Sequence, residues 1–183
     1  MDEIKFYGRG GQGAVVASII LASAAFKEGK FVQAFPFYGI ERRGAPVAAY
    51  TRIDIKPIRS RGQIHKPNVI VVLDPYLIEA LDITQGLNSK GIIVLNTDNA
   101  LKEFKFLSKF NVFTCDATAI AVKHSLGAKT APIVNTTILG AFSKATGLVK
   151  LESILEAMPE KVFLKLEDNI EAAKEAYNAT KKI

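Results

Sequence analysis

The chain alternates short apolar runs with longer helical stretches, and the two periods separate along the sequence. Ile4–Tyr7, Phe31–Phe37 and Val47–Ile53 read as strands. Val69-Ile70-Val71-Val72-Leu73 and Ile92-Ile93-Val94-Leu95 are continuous apolar runs, the mark of strands covered on both faces, and Val112-Phe113-Thr114 repeats the pattern more weakly. Gly11–Glu28 reads as a helix apolar on most sides, ending near Gly29. Tyr76–Leu81 and Leu101–Phe106 are shorter helical candidates. Beyond them Ala117–Ser125, Thr136–Thr146, Leu151–Met158 and Val162–Tyr177 are all helical, the last with Phe163, Leu166, Ile170, Ala173 and Tyr177 in one apolar stripe.

Buried strands alternating with helices predict a three-layer α/β domain of Rossmann-like type, with a mostly parallel sheet and a helical C-terminal third. The 183 residues suffice for one such domain, residues 1–183 as a single unit, and show no linker or repeat. One cysteine, Cys115, excludes an internal disulfide and any cluster or zinc site built on thiolates of this chain alone. The Met1-Asp2-Glu3 start lacks the pattern of a signal peptide. The most apolar stretch, Ala14–Phe26, falls short of the ~20 residues a membrane span needs. The expectation is a soluble cytoplasmic protein without membrane contact.

Charge changes the picture locally. Seven Lys/Arg (Arg42, Arg43, Arg52, Lys56, Arg59, Arg61, Lys66) stand against Glu41 and Asp54, so residues 41–66 hold +5 of the chain's +6. Such a segment is either a solvated basic face or an attractor of phosphates, an acidic protein surface or nucleic acid. No nucleic-acid recognition motif accompanies it, and no nucleic-acid partner is expected.

In sheets of this type ligands sit beyond the C-terminal strand ends. Those ends carry Gly8–Gly13, Asp74, Asn96-Thr97-Asp98 and Cys115-Asp116, where Asp, Asn and Thr equally suit helix capping. Gly8-Arg9-Gly10-Gly11-Gln12-Gly13 satisfies G-x-G-x-x-G between a strand and a helix, which suits backbone N–H groups to an anion. Ala14-Val15 follows, so the lysine and hydroxyl of a P-loop are missing. A dinucleotide site would need an acid at the end of the second strand, but that strand ends Phe35-Pro36-Phe37. Arg42 and Arg43 facing a 2′-phosphate keep an NADP-binding oxidoreductase as the alternative. His65 and His124 lack a metal-binding mate at i+4, and Cys115 ends an apolar strand as an inert buried thiol would. No catalytic residue is assigned.

Taken in order, GRGGQG (8–13), FPFYGIERRGAPVAAYTRI (35–53), VIVVLD (69–74), GIIVLN (91–96) and NTTILGAF (135–142) resemble the gamma subunits of the 2-oxoacid:ferredoxin oxidoreductases, within them the pyruvate branch. The resemblance covers nearly the whole chain. It implies a subunit of a multi-chain enzyme that reversibly converts pyruvate to acetyl-CoA and CO2 while reducing ferredoxin, and that is inactive alone. Thiamine diphosphate, Mg2+ and [4Fe–4S] clusters belong to its partners, the alpha, beta and delta-type subunits, with coenzyme A as a substrate. Gly8, Gly10, Gly11, Gln12 and Gly13 then form a loop for a phosphate or for docking, and Arg42 and Arg43 pair with coenzyme A phosphates or partner carboxylates. Phe35, Phe37 and Tyr38 are interface anchors or ordinary core. The family's usual motif has Ala at the position of Arg42 and Gly at that of Ala45, so the acyl substrate stays open, and a branched-chain 2-oxoacid enzyme would use a similar chain.

Overall fold

The computed structural model describes residues 1–37, 45–98 and 105–183. β1 (Asp2–Arg9) leads through the glycine loop into α1 (Ala14–Lys27), which stops at Gly29 with φ +79°. β2 (Phe31–Phe37) and β3 (Pro46–Asp54) are antiparallel to each other, and β3 returns beside β1, also antiparallel. β4 (Val69–Val72), β5 (Ile92–Asn96) and β6 (Asn111–Cys115) then continue from β1 in parallel. Between them lie α2 (Leu77–Ala80) and a 3-10 turn at Lys105–Lys109. The C-terminal part carries α3 (Ala117–Lys123), the two-residue ribbon β7 (Gly127–Ala128) and β8 (Ala131–Pro132), α4 (Asn135–Thr146), α5 (Leu151–Ala157) and α6 (Leu166–Ala179). β9 (Lys181–Lys182) closes the far edge against β6, giving the strand order β2-β3-β1-β4-β5-β6-β9.

The fold is therefore α/β with a four-stranded parallel centre, as the buried runs predict, and antiparallel strands on both flanks. Strand alternation divides the core in two. Ile4, Phe6, Val69, Val71 and Val94 face α1 and α4, while Ile70, Val72, Ile93 and Leu95 face α2, Ile83 and Leu107. The second face is the thinner cover, because α2 holds only four residues where six were expected. Of the helix expected at Leu101–Phe106, residues 101–104 lie outside the described residues, and Lys105 begins the 3-10 turn.

α4 is the inner helix of the thick layer, with every residue from Asn135 to Ser143 buried. α6 lies on it at backbone contact. Thr136 donates to Asn169 Oδ1 at 2.6 Å, and Asn169 Nδ2 donates to the Lys165 carbonyl at 2.8 Å, so one buried amide joins the two helices. α6 starts at Leu166 rather than Val162, since Lys165 adopts a left-handed conformation (φ +52°) that interrupts the helix. Phe163 thus leaves the expected stripe and stands 84% exposed. Asn169, Ala172, Ala173 and Ala176 form the buried face instead.

Candidate functional site

The glycine loop turns the chain from the end of β1 into α1. Gly13 caps α1 in a left-handed conformation (φ +81°), and a Cβ there would come within 2.5 Å of Asn135 Nδ2, so both the turn and the approach of α4 require glycine. Gly11 also has positive φ (+99°), yet nothing lies within 4 Å of where its Cβ would be. The loop is open at Gly11 and closed at Gly13. No side chain caps α1 and no acid occupies its first turn, which leaves its N–H groups to solvent, a ligand or a partner.

Inside the loop the polar groups are largely committed. Gly10 N–H donates to the Ala45 carbonyl (3.1 Å), Gln12 N–H to the Arg9 carbonyl (3.0 Å), and Arg9 N–H to Gln12 Oε1 (2.8 Å). Gln12 Nε2 then donates to Asp74 Oδ2 (3.1 Å), which also meets Arg9 Nε at 2.9 Å. Asp74 Oδ1 accepts from Tyr76 N–H, and the Arg9 guanidinium lies 5.8 Å over the Tyr76 ring. Asp74 is therefore more than a cap: it ties the loop to the end of β4. Removing it in Asp74→Ala takes away three contacts and is expected to speed amide exchange across Gly10–Gly13 at least about tenfold, the equivalent of one charge-assisted bond, with the rest of the sheet unchanged. Hydrogen exchange read by mass spectrometry checks this, and an unchanged loop would contradict it.

A cleft of about 470 Å³ opens beside the loop at the strand ends, lined among others by Gln12, Asp74, Glu79, Asp98, Asp116 and Thr118. Asn96 reaches across it, donating to the Leu73 carbonyl (2.7 Å) and accepting from Thr118 N–H (3.1 Å), so it cross-braces β4, β5 and α3. Asp116 caps α3 through Ala119 N–H (2.8 Å), and Thr97 N–H donates to the Cys115 carbonyl. Of the four carboxylates only Asp74 has a cation beside it in the described residues. The field at the strand ends is thus negative next to a loop whose motif suits anions.

A dinucleotide reading meets a topological obstacle. In that arrangement the strand next to β1 runs parallel to it and ends in the acid that holds the ribose. Here the strand beside β1 on the side away from β4 is β3, running the other way, and Ala45 at its head closes on Gly10. β2, whose end would need to carry that acid, lies one strand farther out.

The basic segment divides. Arg52 is buried inside the sheet, paired with Glu3 at 2.8 Å, bonded to Gln33 and the Gly62 carbonyl, and laid 5.3 Å over the Phe35 ring. Arg52 therefore adds nothing to the anion-attracting surface expected of residues 41–66, because its charge is spent internally. Lys56, Arg59, Arg61 and Lys66 are exposed, while Arg42, Arg43 and Tyr38 lie outside the described residues. Phe35 packs on Tyr50 with ring centres 5.2 Å apart, and Phe37 stands 41% exposed at the end of β2.

Among the described residues neither Cys115 nor the two histidines is set up as a nucleophile. Burial pushes the Cys115 thiol up to about 11, against a bond from Thr180 that lowers it, and the thiol donates to the Ala176 carbonyl. Cys115 in the folded chain is expected to react with an aromatic disulfide at pH 8 at least a hundredfold slower, roughly, than in denaturant. Equal rates would contradict its burial. His124 is bonded to Glu175 at 2.8 Å and His65 is exposed. Among the described residues no group of three or more His, Cys, Asp or Glu is placed to hold a metal. No helix among them is long and apolar enough to cross a membrane. The geometry suits binding and docking.

The comparisons with known proteins agree over the full length. The model of the pyruvate ferredoxin/flavodoxin oxidoreductase family matches residues 3–179. The "Pyruvate/ketoisovalerate oxidoreductases common subunit gamma" of Thermococcus kodakarensis is 56% identical, covering 98% of this chain and 97% of that protein. "Pyruvate synthase subunit PorC" of Methanothermobacter thermautotrophicus is 48% identical, covering 100% and 98%. The crystal structure of pyruvate oxidoreductase subunit PORC from Thermotoga maritima superposes with a TM-score of 0.80 at 36% identity, covering 99% and 97%. The chain belongs to the pyruvate ferredoxin/flavodoxin oxidoreductase family.

Proposed function

We propose that this chain is the gamma subunit of a multi-subunit pyruvate:ferredoxin oxidoreductase, which reversibly converts pyruvate and coenzyme A to acetyl-CoA and CO2 with reduction of ferredoxin. The observation that carries this reading is 56% identity to a relative named as a common gamma subunit, over 98% of this chain and 97% of that protein. That relative's name joins pyruvate with ketoisovalerate, so a gamma chain serving both enzymes is the second reading with an observation behind it. An NADP-dependent oxidoreductase is disfavoured by the antiparallel strand beside β1.

In this reading the partners are alpha, beta and delta-type subunits, with ferredoxin as acceptor for the assembled enzyme in the cytoplasm. Thiamine diphosphate, Mg2+ and [4Fe–4S] clusters are carried by those partners; a cluster takes four thiolates, and this sequence has one cysteine. Decarboxylation and electron transfer are the chemistry those groups supply. This chain supplies shape: a glycine loop braced by Asp74 and Arg9, and a sheet whose ends are set by Asn96. Gly8, Gly10, Gly11, Gln12 and Gly13 serve as a docking loop in preference to a phosphate cradle, because Gly10 and Gln12 N–H are already bonded and the adjoining cleft is acidic. Arg42 and Arg43 are the residues proposed to meet coenzyme A phosphates.

The experiment is to assemble the complex with Arg42→Ala and Arg43→Ala. A rise in the Michaelis constant for coenzyme A of roughly tenfold, with that for pyruvate unchanged, supports the assignment. An unchanged constant removes both side chains from that site.

A further inference from the structure

At the start of α6 the chain gives up apolar burial that its own sequence offers. Phe163 and Leu164, 84% and 83% exposed, are the two most exposed large apolar side chains among the described residues, and they are adjacent. A helix continued back to Val162 would add Phe163 to the stripe of Leu166 and Ile170, both of which pack against the core. Lys165 prevents this by holding φ +52° and ψ +45°, a left-handed conformation that lysine rarely adopts. The break is pinned rather than frayed. The buried Asn169 amide donates to the Lys165 carbonyl (2.8 Å) and the Leu164 carbonyl (3.4 Å), and Val162 N–H donates to the Met158 carbonyl (2.8 Å). Two apolar side chains are thus presented on a fixed backbone, which strains Lys165 and leaves both in water.

A cavity of about 460 Å³ adjoins them, and Leu164 is one of its walls. It lies between two segments, the connection from α3 to α4, which contributes Ser125–Gly127 and Ile133, and the start of α6. Lys165 Nζ donates to the Ser125 carbonyl (2.9 Å) and joins the two. Leu126, Ile133 and Leu164 make the lining apolar. A cavity of about 150 Å³ takes a benzene ring, so this one has room for an incoming phenylalanine ring together with a leucine.

The exposed pair and the cavity share Leu164, which is the arrangement a two-fold contact needs: each copy offers what the other receives. Charge does not oppose it. Residues 125–133 and 161–168 hold Lys129, Lys161 and Lys165 against Glu167 and Asp168, a net +1 in a chain of +6. Two copies therefore meet here with little mutual repulsion, and each brings both signs for pairing across the contact. We propose that this face is where two copies of the chain dock across a two-fold axis, with Phe163 and Leu164 of each entering the cavity of the other. The face is small, so the dimer belongs with weak interfaces and forms at high concentration. The proposal stands apart from the assignment to an oxidoreductase and does not depend on it.

Sedimentation velocity of the full chain from about 1 to about 300 μM tests this. A concentration-dependent shift from monomer to dimer is expected. Phe163→Asp and Leu164→Asp, at side chains outside the core, each raise the dissociation constant at least about tenfold. Ile55→Asp, an equally exposed apolar site just beyond β3, leaves it unchanged. A monomer throughout overturns the proposal, as does a dimer that survives Phe163→Asp or is lost in Ile55→Asp. The assembled complex separates a second copy from another subunit. With a photoreactive benzophenone in place of the Phe163 ring, a cross-link between two copies of this chain is expected. Cross-linking to a different subunit alone, or none, overturns the proposal.

Discussion

Gly140→Val is expected to leave little or no folded protein. Gly140 lies in the middle of α4, where a Cβ would stand 1.9 Å from the Ala173 carbonyl oxygen of α6. The obstructing atom is backbone, so relief requires moving a whole helix, and with it the Thr136–Asn169 bond. Overpacking a rigid core site costs about 1–3 kcal/mol, and a clash with backbone belongs in the tail beyond about 4 kcal/mol. Against a total stability of about 5–15 kcal/mol for a domain, that is most of the margin. Gly140→Ala meets the same oxygen and should fall only slightly short of this. Urea unfolding followed by far-UV circular dichroism measures both. A midpoint for Gly140→Ala equal to wild type would mean that α4 and α6 are not in contact at this residue.

Arg52→Ala should produce the second largest loss. Arg52 is 3% exposed in β3, and truncation strands the Glu3 carboxylate, the Gly62 carbonyl and Gln33 together. Breaking a buried pair from one side costs about 3–5 kcal/mol. Glu3 retains some solvent, with its side chain 20% exposed, which places the loss near the lower end, about 3 kcal/mol. Arg52→Lys keeps the charge but not the fork that serves three acceptors at once, and should recover less than half of it. A double-mutant cycle with Glu3→Gln separates the pair from the carbonyl contacts. A loss under about 1 kcal/mol for Arg52→Ala would show the pair to behave as an exposed one.

The strands were legible because continuous apolar, β-branched runs such as Val69–Leu73 mark strands buried on both faces, and the structure places each of them within a residue or two. Neighbours were not legible. Alternation in Val47–Ile53 reports which face a side chain takes, not whether the strand runs with or against β1, so the antiparallel insertion of β3 was invisible. The same limit hid β9, whose Lys181-Lys182 carries no strand signal and pairs only because α6 delivers it to an open edge. At the loop, Asp74 suits a strand-end ligand site and a helix cap alike, since caps and ion-pair partners draw on one residue type; its link to Arg9 spans 65 positions of chain and has no local trace. Gln12 belongs to the glycine motif, but its bridge from the loop to Asp74 has no trace in that motif.

Reconstitution with and without this chain probes the division of labour directly. Partner subunits carrying the thiamine and cluster cofactors are mixed with pyruvate, coenzyme A and ferredoxin, and ferredoxin reduction is followed as the chain is added. Rising activity that saturates at a fixed ratio of chain to partners, with no turnover by the chain alone, is the predicted result. Ferredoxin reduction by the isolated 183-residue chain, or full activity of the partners in its absence, would contradict the account.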